Sequence, residues 1–321
     1  MNFHVMRFKW INLTVSLVFL VGLLALTFQK FGGFALSIDF AGGIKIEMRT
    51  TDKLNAESLR NFFEKEKISA TVQLVDKASG DRVKIELGGR VQQELTSRAE
   101  LAKAEFEKRG DKGYPINSID YLKYLIQTKL LPANAPAIEF SAAEQVGPTI
   151  GKYLQTNALY LVGIALLLIT IYVAFRFRLN YALGALIASV HDLILTLGVI
   201  GILQIPLSVP VVAALLTILG YSINDTIVIF DRIRENVHGQ EELGIEHVVD
   251  KSILQSLTRT INTTGTTLIA IVPIYLFGDD SLRDLAKVLI FGILIGTYSS
   301  NFVAAPIVVI WDNLMKGRSR A

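Results

Sequence analysis

The chain contains no cysteine. That excludes a disulfide framework, thiolate metal ligands and a cysteine nucleophile. Its four histidines include no pair at metal-ligand spacing, so a zinc site is not expected. Charge is scarce too: 19% of residues are charged, against 51% hydrophobic. The net charge of +3 is too small to point to nucleic acid as a partner. A soluble protein of 321 residues carries more charge and interrupts its apolar runs more often. Here the apolar residues form long blocks nearly free of ionisable groups, which a bilayer accepts as helices.

Six such blocks are predicted to span: Ile11–Phe28, Asn157–Phe175, Tyr181–Leu203, Val209–Phe230, Thr260–Phe277 and Ala286–Trp311. The first follows Arg7 and Lys9 as a signal peptide would, but it is near full span length and ends without a small-x-small cleavage site. It is therefore expected to stay as the first transmembrane helix. The chain then divides into residues 1–30 (cytoplasmic N-terminus and first span), 31–150 (a hydrophilic outer domain) and 151–321 (five further spans). Arg7 and Lys9, Arg176 and Arg178, Arg232, Arg234 and Lys251, and Lys316, Arg318 and Arg320 all fall on one side of a six-span layout. The loop around Pro206 has no basic residue, and Gly278–Leu285 has Arg283 against three aspartates. Both termini are thus predicted to be cytoplasmic in a multi-pass protein of the bacterial inner membrane, with residues 31–150 outside.

The outer segment reads as a small α+β domain of ferredoxin-like type. Ile44–Arg49 alternates as a half-buried strand; Leu54–Glu66 has helical spacing at Leu54, Leu59, Phe62 and Phe63. Ala70–Val75 and Val83–Leu87 alternate again, with Ser79-Gly80-Asp81 as a turn signal. A polar helix over Gln92–Lys108 and a shorter one near Ile119–Leu130 follow. The segment holds no active-site motif.

Chemistry concentrates in the spans. The fourth carries Gly220-Tyr221-Ser222-Ile223-Asn224-Asp225-Thr226, with Asp225 about three-quarters of the way to the cytoplasm. An ionised, unpaired carboxylate there costs several kcal/mol. Burial opposes its ionisation and a nearby cation favours it, and together they can place proton exchange near neutral pH. Thr217, Tyr221 and Ser222 share its helical face as a polar track. A permanently protonated or permanently paired aspartate is the alternative. Arg259 opens the fifth span, with Asn262, Thr263, Thr266 and Pro273 on its face, and is the natural partner for Asp225; the alternative is an arginine reaching to headgroups. In the third span, His191-Asp192 lies near the middle. Ala185, Ala188, Ser189 and Thr196 share the Asp192 face, so either a proton relay or a structural hydrogen bond between spans fits. Gly292 and Gly296 in the sixth span have the spacing that lets helix backbones approach.

These residues carry a resemblance. Asp39-Phe40-Ala41-Gly42-Gly43, Val146-Gly147-Pro148 with Gly151, Gly220–Asn236, Ser256-x-x-Arg259-Thr260-x-Asn262-Thr263 and Gly296–Pro306, in that order, are similar to the motifs of the SecF family. This family supplies protein-export membrane subunits of the RND superfamily. The resemblance implies a six-span RND-type bundle that works beside SecD and the SecYEG channel. It would use the proton gradient, with no cofactor, to promote late steps of preprotein export on the outer side. It implies that Asp225 and Arg259 serve proton conduction; the residues themselves add Asn224, Thr263, His191 and Asp192 as candidate relay groups. It also leaves Asp39, Phe40, Gly42 and Gly43 as a coupling hinge or a static turn, where glycine lets the backbone bend or another segment approach. Asn301 departs from the pattern by standing where an apolar residue is expected, and Gln92–Leu131 is longer than a minimal outer domain needs. Two other readings are a stand-alone proton-coupled exporter of small molecules or lipids, of which six spans are half, and an intramembrane hydrolase, which needs a nucleophile–base pair or paired aspartates. A purely structural partner whose aspartate never titrates is the third.

Overall fold

The computed structural model describes residues 4–49, 55–74, 82–109, 117–131, 140–177, 179–237 and 244–318. The expected turn at Ser79-Gly80-Asp81, together with Leu54, Val75, Arg178 and Arg320, lies outside them. The chain divides into two compact units, Leu36–Asn157 and the combination of Met1–Ala35 with Ala158–Ala321.

The first unit is built on a four-stranded sheet. After a short helix α2 (Ile38–Ala41) come β1 (Gly43–Arg49), α3 (Ala56–Lys65), β2 (Ala70–Leu74), β3 (Arg82–Gly88), α4 (Gly89–Arg109), α5 (Ser118–Lys129) and β4 (Phe140–Val146). The sheet order is β2-β3-β1-β4, and every neighbouring pair is antiparallel. Alternation in β1 sends Ile44, Ile46 and Met48 inward, opposite Leu87, Ile85 and Val83 of β3. Leu59, Phe62 and Phe63 of α3, with Leu95, Leu122 and Ile126, complete that core. Asn55 caps α3 in a reciprocal pair with Ser58, which satisfies amides that the first turn leaves open. The strand β4 was not legible in the sequence. Between half-buried ends its residues are exposed, so no apolar alternation marks them; backbone pairing to β1 alone defines the strand.

The second unit contains the membrane helices: α1 (Lys9–Phe31), the later part of α6 (Pro148–Arg176), α7 (Leu179–Ile202), α8 (Val209–Val237), α9 (Ile245–Phe277), and α10 (Asp280–Ser299), which passes through a π turn at Ser300–Ala304 into α11 (Ala305–Arg318). Six stretches are long and apolar enough to cross a membrane. The most apolar stretch of α7 is 56% buried and that of α6 only 6%. Thus α7, α8 and α10 form the packed centre, while α1 and α6 show most of their apolar side chains to the outside. The fifth helix begins some four turns before its predicted start. Its extension, Ile245–Arg259, stays helical because Val248, Val249 and Ile253 pack inward, while Asp250 accepts the Met6 amide at 2.9 Å and Glu246 pairs with Lys9.

Candidate functional site

Two carboxylates are buried among α7, α8 and α10. On α7, Ala185, Ala188, Ser189, Asp192 and Thr196 form one inward stripe. Asp192 is fully buried. Its Oδ1 lies 3.0 Å from His191 Nδ1, and its Oδ2 accepts a hydrogen bond from Ser222 Oγ of α8. Successive residues on a helix point about 100° apart, so His191 faces a different neighbour. Its Nε2 lies 2.7 Å from Ser16 Oγ of α1. Ser299 of α10 sits beside Asp192 as well.

Asp225 lies three residues beyond Ser222 on α8 and is 3% exposed. Thr297 of α10 is beside its carboxylate, and Thr297 is itself 2.8 Å from Thr264 of α9. Among the described residues the Oδ2 of Asp225 has no hydrogen-bond partner, a situation that costs about 1–3 kcal/mol for a neutral group and more for a charged one. Arg259 acts on Asp225 through space. Among the described residues the two do not form a direct ion pair. Arg259 is exposed and instead lines a polar cavity of about 300 Å³ with Asn224, Asp231, Glu235, Gln255 and Ser256. The acids of that cavity are already engaged: Asp231 with Arg176 at 3.3 Å and Arg234 at 2.9 Å, Glu235 with Arg232 at 2.8 Å.

Several expected neighbours are placed differently. Thr263 is turned back onto its own helix, donating to the Arg259 carbonyl at 2.8 Å; Thr264, one helical step further, is the residue that faces Thr297. Asn262 and Thr266 are exposed with Arg259. Thr217 is exposed and bonds the Ala213 carbonyl, and the Tyr221 hydroxyl meets Thr267 at 2.9 Å. Of the predicted track only Ser222 joins the buried network. Ser16, Thr264, Thr297, Ser299 and Ser300 were missed; the last pairs with Thr226 at 2.9 Å. The available signal was a cluster of hydroxyls inside the apolar run of α10. Asn301, also buried, bonds the Thr297 carbonyl at 2.8 Å.

The glycines work by close approach. A methyl on Gly292 would sit 2.1 Å from Ile218 Cδ1, and one on Gly296 2.8 Å from Ser222 Cβ. In the outer unit Gly42 and Gly43 adopt φ of 71° and 144°, values natural only to glycine. Gly43 is paired with Gly88 on one side and Val146 on the other, and a Cβ there would meet the Leu87 carbonyl oxygen at 2.2 Å. Phe40 is buried and its carbonyl oxygen lies 2.8 Å from where a Gly151 Cβ would be, so the segment Asp39–Gly43 packs against the start of α6. The Asp39 amide donates to the capping Ser37 Oγ at 3.2 Å.

The Ser16–His191–Asp192 contacts have the connectivity of a hydrolytic triad. Ser16 lies inside α1, whose backbone amides are consumed along the helix, so α1 itself offers no free amide pair to an acyl-transfer intermediate. Among the described residues no group of three His, Asp or Glu is arranged to hold a metal ion.

This is a multi-pass helical membrane protein with one sheet-containing unit and ionisable groups buried at the centre of its helices. The family described as protein export membrane protein SecD/SecF, C-terminal, matches residues 126–314. The chain belongs to that family, on the SecF side. It is 33% identical to protein translocase subunit SecF of Rickettsia bellii over 312 residues, 97% of this chain and 94% of the relative. It is 43% identical to SecF of Desulfurispirillum indicum over 190 residues, 58% of this chain and 60% of that one. Among solved structures it resembles SecDF, a translocon-associated membrane protein from Thermus thermophilus, with TM-score 0.76 and 32% identity. That match covers 98% of this chain and 39% of the longer SecDF chain.

Proposed function

We propose that the chain is the SecF half of a SecD–SecF unit that uses the proton-motive force to promote late steps of preprotein translocation through SecYEG. The observation that carries this reading is Asp225. Among the described residues it is a carboxylate inside the helix bundle with one oxygen lacking a donor, beside Thr297 and within electrostatic reach of Arg259, which makes no direct ion pair with it and opens onto a polar cavity. A group so placed can take a proton arriving from the outer side, release it to the cavity side, and change its partner on doing so. Arg259 is the fixed charge that favours the ionised form, Asn224 lines the same cavity, and His191 with Asp192 forms a further relay. A stable Asp225–Arg259 ion pair would instead have suited a static aspartate. The proton gradient is the energy source, and no cofactor or enzymatic step is required.

Six spans beside a SecDF relative that is far longer support SecD as the missing half of the bundle, in place of a stand-alone exporter. The charge distribution supports cytoplasmic termini and an outer first unit, in the inner membrane. In that unit the strand–helix–strand–strand–helix–helix–strand order, with sheet order β2-β3-β1-β4, supports a ferredoxin-like domain carrying one extra helix. Its role is to contact SecD's outer domain or the emerging unfolded chain. The test is proton flux in liposomes containing the chain with its SecD, and export by the same complex. Asp225→Asn should assemble yet lose both; normal export by that variant under a proton gradient overturns the assignment.

A further inference from the structure

We infer that Asp192 is a second proton-holding site in series with Asp225, on its outer side, and that Ser222 is the bridge between them. The inference rests on the reading that Asp225 exchanges protons.

Three observations converge. First, Ser222 Oγ donates to Asp192 Oδ2 from a position one helical turn from Asp225. Ser222 and Asp225 are thus separated along α8 by about 4.5 Å of rise, with the hydroxyl that meets Asp192 at the outer end of that step. A hydroxyl both donates and accepts, so it can hand one proton on while receiving another. Second, the space Ser222 occupies exists because residue 296 is glycine: a methyl there would lie 2.8 Å from Ser222 Cβ and 3.1 Å from its Oγ. On either side of that contact α10 sets Thr297 beside Asp225 and Ser299 beside Asp192. One short stretch of α10 therefore flanks both acids with hydroxyls. Third, Thr196, one turn beyond Asp192, is fully buried and its Oγ has no partner among the described residues. With cytoplasmic termini, α7 runs outward, so Thr196 is the next polar atom on the outer side.

The groups that face Asp192 leave it room to hold a proton. From α7 it has His191, from α8 Ser222, and from α10 Ser299. From α1, Ser16 meets it only through His191. Among the described residues it has no lysine or arginine in ion-pair contact. Arg259 of α9 acts on Asp225. A proton arriving from the outer side can settle on Asp192 before Ser222 carries it on. In the relay the Ser222 hydroxyl proton passes to Asp225 while a proton from Asp192 replaces it on Oγ, so no bond to carbon changes and no other reactant is needed.

The test uses the chain reconstituted in liposomes with its SecD, with a trapped pH dye reporting flux under an imposed gradient. Ser222→Ala should lower flux by about tenfold or more, the scale of losing one positioned proton-transfer group. Ser222→Thr, which keeps the hydroxyl, should restore most of it. Asp192→Asn should abolish flux, and infrared difference spectra should lose one titrating carboxyl band relative to wild type. If Asp225→Asn is silent while Ser222→Ala and Asp192→Asn conduct like wild type, Asp192 is off the path and the inference fails. If Ser222→Thr is as poor as Ser222→Ala, the site needs a shape and not a hydroxyl, and the inference again fails. Should Asp192→Asn fail to assemble, the Ser222 pair and the wild-type carboxyl bands decide. Wild-type flux in Asp225→Asn overturns the proposed function itself, whatever Ser222 does.

Discussion

Gly292→Ala probes how the centre of the bundle is held. Lipid tails are as apolar as the helix surfaces, so α8 stays on α10 by packing and not by exclusion of water. A methyl at 292 would lie 2.1 Å from Ile218 Cδ1, 2.5 Å from Cγ1 and 3.0 Å from Cγ2, against an optimal carbon separation of about 3.5–4.0 Å. The Cδ1 end can rotate away about χ2; Cγ2 can move only through χ1, which is stiff for a β-branched residue in a helix. Overpacking of this kind costs about 1–3 kcal/mol. Ile218→Ala removes all three clashing atoms and by itself loses packing. In the double variant the new methyl occupies part of that void, so the two changes should couple by about 2 kcal/mol. Thermal unfolding of the purified complex with SecD reads both. Gly296→Ala, one turn along, is expected to lose stability similarly but also to displace Ser222 from Asp192, so flux per assembled complex should fall there and hold in Gly292→Ala. A Gly292→Ala protein that melts with wild type, or a clash that Ile218→Ala does not relieve, refutes the packing argument.

Asp225→Glu should keep partial proton-driven export, since the group still titrates but its oxygens sit one methylene further out; export assays in vesicles measure it. Asp250→Ala leaves the Met6 amide without its acceptor and should cost about 1–3 kcal/mol, read as faster hydrogen exchange at Met6. Gly43→Ala forces a side chain into φ 144° and onto the Leu87 carbonyl oxygen; backbone strain alone is about 1–3 kcal/mol, and sensitivity of the outer unit to limited proteolysis in the full chain should rise. Crosslinking the outer unit to SecD's outer domain should stop export while leaving assembly intact, and continued export would show that its motion is not required.

The sequence by itself determined the six spans, because a bilayer demands long uncharged helices and tolerates nothing else. It determined three strands and three helices of the outer unit, because each buries one face and alternation records that. It also singled out Asp225, Arg259, His191 and Asp192, because ionisable residues inside apolar runs stand out without any knowledge of their neighbours. Tertiary structure alone decided the rest. The strand β4 has no buried face to write into its sequence. Which hydroxyl meets which carboxylate depends on helix rotation, and one residue is about 100°: Thr264 enters the site and Thr263 does not. Ser16 and His191 are joined from distant parts of the chain, and helical spacing is silent on contacts between helices. Arg259, the natural partner of Asp225 by charge, stands on an exposed face. That separation is set by where α9 packs, a property of the assembled bundle and of no local stretch of sequence.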